Sequence, residues 1–168
     1  MWAGAGTVYA GVPLVSLGLL RASPTYGLPA ILWLFAVVWG ADIAAYFAGR
    51  LIGGPRLWPA VSPGKTWSGA IVGALAGASL GLLLAPWTNR VEALFWLGLG
   101  AAIASVLGDL FESAVKRRFE VKDSSGLIPG HGGMMDRLDA FIAASLFAAL
   151  VASANTRGSY IASGLFQW

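Results

Sequence analysis

Cysteine is absent from the 168 residues, so neither a disulfide framework nor a thiolate metal site is open to this chain. Histidine occurs once, at His131, and only 11% of residues are charged, where a soluble domain carries about a quarter. That scarcity excludes an ordinary water-solvated surface. The net charge of +3 is too small and too localised for a nucleic-acid interface. What is present instead is apolar: 57% of residues are hydrophobic and the mean hydropathy is +0.72. The chain reads as a membrane protein. Its first apolar run lacks a basic leader, so it reads as a first span and not as a signal peptide.

At roughly 20 residues per span, the sequence predicts an all-α, polytopic integral membrane protein forming a single membrane domain over residues 1–168. About five transmembrane helices are expected, near 2–20, 28–49, 68–86, 91–112 and 138–154. Two polar loops, 50–67 and 113–137, separate them. Basic residues set the orientation. Arg50, Arg56, Lys65, Lys116, Arg117, Arg118, Lys122 and Arg137 fall on one side, against Arg21, Arg90 and Arg157 on the other. Both long loops are therefore expected in the cytoplasm.

The little charge there is gathers between Gly108 and Asp139. Six of the eight acidic residues lie there, with five of the eleven basic ones and His131. Asp109, Glu112, Ser113 and Lys116 fall at i, i+3, i+4 and i+7, one face of any helix that continues past the fourth span. Asp136 and Asp139 are likewise i, i+3 at the start of the fifth. Two carboxylates about 4 Å apart repel by about 4 kcal/mol at an effective dielectric near 20, so such a cluster needs cations. Oxygen ligands without cysteine suit Mg²⁺, which completes its shell with water and phosphate. Pro129-Gly130-His131-Gly132-Gly133 supplies backbone able to approach a phosphate closely. Salt bridges from Arg117, Arg118 and Arg137 that merely cap two helices are the plainer alternative.

The other loop contains Ser62-Pro63-Gly64-Lys65-Thr66, which is not a P-loop, because Pro59 stands where its first glycine belongs and no strand precedes it. Ser62, Lys65 and Thr66 remain a phosphate-binding patch or a basic interfacial anchor. Asp42 is an intramembrane carboxylate, at a nominal cost of ~2.5–3.5 kcal/mol near a helix centre. Arg50, two turns on, would extend it into a polar seam. Gly69, Gly73, Gly77 and Gly81 form a small-residue stripe. Packing within the chain is the favoured reading of that stripe, and a homodimer seam the alternative.

Ser113-x-x-Lys116-Arg117, Lys122-Asp123, His131-Gly132-Gly133 and Asp136-Arg137-x-Asp139 together resemble the signature of phosphatidate cytidylyltransferases (CDP-diacylglycerol synthases). Gly108-Asp109-Leu110-Phe111-Glu112, Ser62-Pro63-Gly64-Lys65-Thr66-Trp67 and Ala45-Tyr46-Phe47-Ala48-Gly49-Arg50 are similar to that family too. The likeness is to its C-terminal part. It implies transfer of the cytidylyl group of CTP to phosphatidate in a bacterial inner membrane, with the site facing the cytoplasm. It also implies Mg²⁺, with room for a second, monovalent cation such as K⁺. Asp109, Asp136 and Asp139 would be the metal ligands. Lys116, Asp123, His131, Asp136 and Asp139 would be the catalytic set. Ser62, Lys65, Thr66, Ser113, Arg117, Lys122, Gly132, Gly133, Arg137 and Asp42 would bind the substrates, CTP and phosphatidate, with membrane lipids as further partners of the protein. The chain departs from the family at four places. Ile43-Ala44 replace Thr-Gly, Ser68 replaces a glutamate, Glu120 a glycine and Ala140 a serine. Two rival readings are an inactive or split-enzyme fragment of the family, and an ion-coupled transporter using Asp42 and Asp109.

Overall fold

A computed structural model describes residues 2–121, 123–125, 133, 135–156 and 158–168, without the side chains at positions 2, 3, 5 and 135–137. Five long helices account for most of the chain: α1 (Trp2–Arg21), α2 (Gly27–Leu51), α3 (Trp67–Gly81), α4 (Val91–Arg118) and α5 (Met135–Asn155). The segments Gly27–Leu51, Trp67–Trp87, Val91–Arg118 and Leu138–Asn155 are long and apolar enough to cross a membrane. Within α1, Gly6–Arg21 is a shorter apolar helix. The protein is an all-α polytopic membrane protein. Its outward faces agree, since Trp39, Ile43, Phe47, Ile71, Leu75, Trp96 and Ile103 are all exposed. A water-soluble chain would have to cover so continuous an apolar surface.

The core is built by close approach more than by bulk. Trp33, Leu34 and Val37 of α2 are fully buried with Leu94, Ala101 and Ala102 of α4 and Ala144, Ala148 and Ala152 of α5. The glycine stripe of α3 lies against α2. A Cβ at Gly69, Gly73 or Gly77 would come within 2.8, 2.7 and 2.6 Å of the carbonyl oxygens of Ala45, Ala41 and Val37. At Gly81 it would meet the indole of Trp33. The stripe is thus consumed inside the chain, which leaves those four positions no face for a seam between copies.

Where the sequence reading expects an irregular loop over 50–67, the chain forms a β-hairpin. Strand β1 (Arg56–Trp58) pairs antiparallel with β2 (Ser62–Thr66), Arg56 opposite Thr66 and Trp58 opposite Ser62. Gly53 and Gly54 turn the chain out of α2 with φ of 67° and 107°, conformations that glycine adopts freely. Thr66 closes the hairpin and opens α3, its side-chain oxygen accepting the Gly69 N–H at 3.1 Å. That N-cap explains why the helix begins where it does. Ser68 donates to the Gly53 carbonyl and lies 3.1 Å from the Thr66 hydroxyl. Ser68 therefore ties the start of α3 to the turn that leaves α2.

Helix α4 continues six residues past its expected end, to Arg118. It closes with the Val121 N–H on the Lys116 carbonyl and the Glu120 N–H on the Arg117 carbonyl. This is a Schellman stop, which requires a left-handed residue. Glu120 fills it at φ 56°. A glycine would adopt that conformation freely, and a glutamate there costs about 1 kcal/mol. The tail, which carries no clear signal in the sequence, adds helix α6 (Ser163–Phe166), with Leu165 and Phe166 fully buried. Asn155 holds it by donating to the Gly164 carbonyl at 3.0 Å.

Candidate active site

At the hairpin end of the bundle, α2, the hairpin, α3 and α4 enclose an open cavity of about 760 Å³. The α2 wall is Asp42, Tyr46, Gly49 and Arg50, spaced at i, i+4, i+7 and i+8 so that one helical stripe carries all four. Arg50 donates to the Tyr46 hydroxyl, and its guanidinium lies 5.5 Å from the centre of that ring. The polar seam expected from Asp42 to Arg50 is therefore present. Asp42 faces the cavity, within electrostatic reach of Lys65 and Asp109. The lysine gives this intramembrane carboxylate a cation on its cavity side.

Lys65 of β2 reaches across to form an ion pair with Asp109 of α4. Ser113, one turn further along α4, donates to Asp109 Oδ1 at 3.3 Å. Asp139 of α5 is brought alongside by a close helix crossing. A Cβ at Gly108 would touch the Ala143 side chain and come within 3.0 Å of the Asp139 carbonyl, so only glycine allows α4 and α5 to approach this far. Asp139 Oδ1 accepts the Ala140 N–H at 2.7 Å. Its carboxylate interacts electrostatically with Asp109, Lys116 and Lys65. Lys116 sits 3.4 Å from Glu112 Oε1, and the Tyr9 hydroxyl of α1 is 3.5 Å from Glu112 Oε2. The continuation of α4 thus aligns Asp109, Glu112, Ser113 and Lys116 along one face.

Other residues singled out from the sequence have different placements. Thr66 lines the cavity with its hydroxyl engaged as the α3 cap. Ser62 is half-buried at the start of β2, outside the cavity lining. Arg117 donates to the carbonyls of Val61, at 3.4 Å, and Val121, at 3.5 Å. It thereby fastens the hairpin turn to the end of α4. Asp123 is exposed in the bend after α4. Gly133 is buried against Ser124 and Ser125, whose side chains a Cβ would strike. Lys122, His131 and Gly132 lie outside the described residues, as do the side chains of Asp136 and Arg137 in the first turn of α5. Arg56 is a cavity cation that the sequence reading did not select. Its only signal was basic charge beside the Lys65 segment.

The site offers a cation carboxylate oxygens. Asp109 and Asp139, two like charges from crossing helices, are a donor pair of the kind Mg²⁺ takes when phosphates and water complete its shell. Among the described residues, no three His, Asp or Glu side chains gather closely enough to hold an ion alone. A cation at these two carboxylates would need further ligands from outside the described side chains.

Carboxylates set beside lysines, around a cavity bordered by membrane-spanning helices, suit transfer between phosphates near a bilayer. A match to the family described as the cytidylyltransferase family covers residues 2–154. The chain belongs to the cytidylyltransferase family. It is 50% identical over 162 residues to the phosphatidate cytidylyltransferase of Brucella suis, covering 90% of this chain and 58% of that protein. With the phosphatidate cytidylyltransferase of Haemophilus influenzae it shares 42% identity over 145 residues, 82% of this chain and 50% of the other. For the Bacillus subtilis protein of the same name the figures are 41% over 126 residues, 73% and 47%. The chain thus spans about half the length of these relatives.

Proposed function

We propose that this site transfers the cytidylyl group of CTP to phosphatidate, releasing pyrophosphate. One observation carries the reading: the Lys65–Asp109 pair and Asp139 converge from three elements beside a cavity with further cations at Arg50 and Arg56. In the reaction, an oxygen of the phosphatidate phosphate attacks the α-phosphorus of CTP. The bond from that phosphorus to the bridging oxygen breaks, and the electron pair leaves with pyrophosphate. The nucleophile is already anionic, so the protein's work is positioning and charge neutralisation. Lys65 and Lys116 offset the charge that develops on the leaving group. Asp42 and Arg50 orient the substrate at the α2 wall.

Mg²⁺ would be held by Asp109 and Asp139 together with Asp136, one turn before Asp139 on the same helix. Bound there, it would neutralise phosphate oxygens and orient the two substrates. The excess of basic residues in the two loops supports a cytoplasmic site in a bacterial inner membrane. The test is Asp109→Asn, an almost isosteric change. Turnover of CTP with phosphatidate should fall at least a hundredfold while thermal unfolding in detergent stays within a few degrees of the parent. Retained turnover would remove Asp109 from the chemistry.

A further inference from the structure

An apolar groove of about 560 Å³ runs between α3 and α4, walled by Trp67, Ile71 and Leu75 on one side and Leu99, Ile103 and Leu107 on the other. It adjoins the polar cavity, and Leu57, Ala70 and Val106 line both. The joint is chemically abrupt. Leu57 follows Arg56 in β1, so the mouth of the groove and a cavity cation are one residue apart. Among the described residues, no charged side chain lines the groove. Ile71, Leu75, Ile103 and Leu107 are each about half exposed, on helices long and apolar enough to span a bilayer. The groove therefore opens sideways, towards lipid. From Leu110 to Leu99 it follows α4 for about 16 Å, at roughly 1.5 Å per residue.

We infer that this groove seats one acyl chain of the anionic lipid substrate, with the lipid phosphate at Arg56. The inference rests on the proposed lipid-phosphate reaction for its choice of lipid. Its own support is that the two spaces adjoin through three shared residues and have opposite chemistry. An amphiphile with a terminal phosphate matches that division: the cavity cation takes the head and the groove takes a tail. A tail held in place limits how the phosphate approaches CTP, so the groove walls set acyl-chain preference.

The experiment uses the protein in lipid nanodiscs with a phosphatidate carrying a diazirine on one acyl chain, and maps the photo-crosslinks by mass spectrometry. Labelling should concentrate on Ile71, Leu75, Leu99 and Ile103, and excess unlabelled phosphatidate should suppress it. A matching phosphatidylcholine probe, which lacks the terminal phosphate, should show no such concentration. In parallel, Ile103→Trp should lower kcat/KM for dipalmitoyl phosphatidate at least fivefold relative to dioctanoyl phosphatidate, with the KM for CTP unchanged. Equal labelling by both probes would make the groove ordinary lipid-facing surface. Preferential labelling of Trp39 and Trp96 instead would mean that another helix or a second copy covers it. Either result overturns the inference. Groove labelling without any CDP-lipid product would instead leave the groove standing and defeat the proposed reaction.

Discussion

Gly108 is where the fold and the proposed chemistry are most tightly joined, and Gly108→Ala separates them measurably. The added methyl would strike the Ala143 side chain and lie 3.0 Å from the Asp139 carbonyl. The second contact is with backbone and cannot be relieved by a rotamer change. Overpacking of this kind costs about 1–3 kcal/mol, while replacing a mid-helix glycine by alanine returns about 1 kcal/mol of helix propensity. The net destabilisation is therefore up to about 2 kcal/mol. Its effect on rate should be larger, because relief requires α4 and α5 to move apart, carrying Asp109 away from Asp139. A misplacement of about 1 Å at reacting groups costs on the order of a hundredfold. Gly77→Ala is the matched control, since its Cβ would come within 2.6 Å of the Val37 carbonyl, well away from the cavity. Both variants would be compared by thermal unfolding in detergent and by kcat/KM for CTP. The reasoning requires similar shifts in unfolding, with a tenfold to hundredfold loss of kcat/KM for Gly108→Ala alone. Equal losses, or full activity in Gly108→Ala, would refute the claim that this crossing sets the site.

Three further outcomes are expected. Lys65→Ala should lower kcat/KM for CTP by tenfold or more yet change stability by less than about 1 kcal/mol, because the ion pair is partly exposed; an unfolding shift as large as that of Gly108→Ala would make Lys65 a structural residue. Glu120→Gly should stabilise the protein by up to about 1 kcal/mol by relieving a left-handed glutamate, read as a higher unfolding midpoint with unchanged turnover. Thr66→Val keeps the volume and removes the α3 cap, and should cost about 1 kcal/mol; no change in the unfolding midpoint would show that the cap does not govern the start of α3.

The sequence exposed the parts of this molecule that follow from periodicity. Hydropathy located the spanning segments, and the i, i+3, i+4, i+7 spacing aligned Asp109 through Lys116 because α4 does continue to Arg118. Glycines every four residues announced a close crossing, and α2 is the helix that takes it. The hairpin was not legible, because Arg-Leu-Trp and Ser-Pro-Gly-Lys-Thr are short, broken by proline and glycine, and paired through backbone bonds that carry no side-chain period. Thr66, from its place beside Lys65, and Arg117, from the family resemblance, are expected as substrate contacts. Their hydroxyl and guanidinium are engaged by a helix end and by carbonyls of the hairpin turn and the α4 end, partners set by tertiary structure. Glu120 was visible only as a departure from a familiar pattern, and the backbone of α4 supplies its meaning.

The central claim is tested most directly by following the α-phosphorus of CTP. With CTP labelled at that atom, and with phosphatidate and Mg²⁺ supplied to the protein in nanodiscs, the account predicts label in the lipid phase as CDP-diacylglycerol. One unlabelled pyrophosphate should be released per transfer. CTP labelled at the γ-phosphorus should leave the lipid unlabelled. Label entering lipid from the γ-position, or no phosphatidate-dependent transfer from the α-position by folded protein, would contradict it.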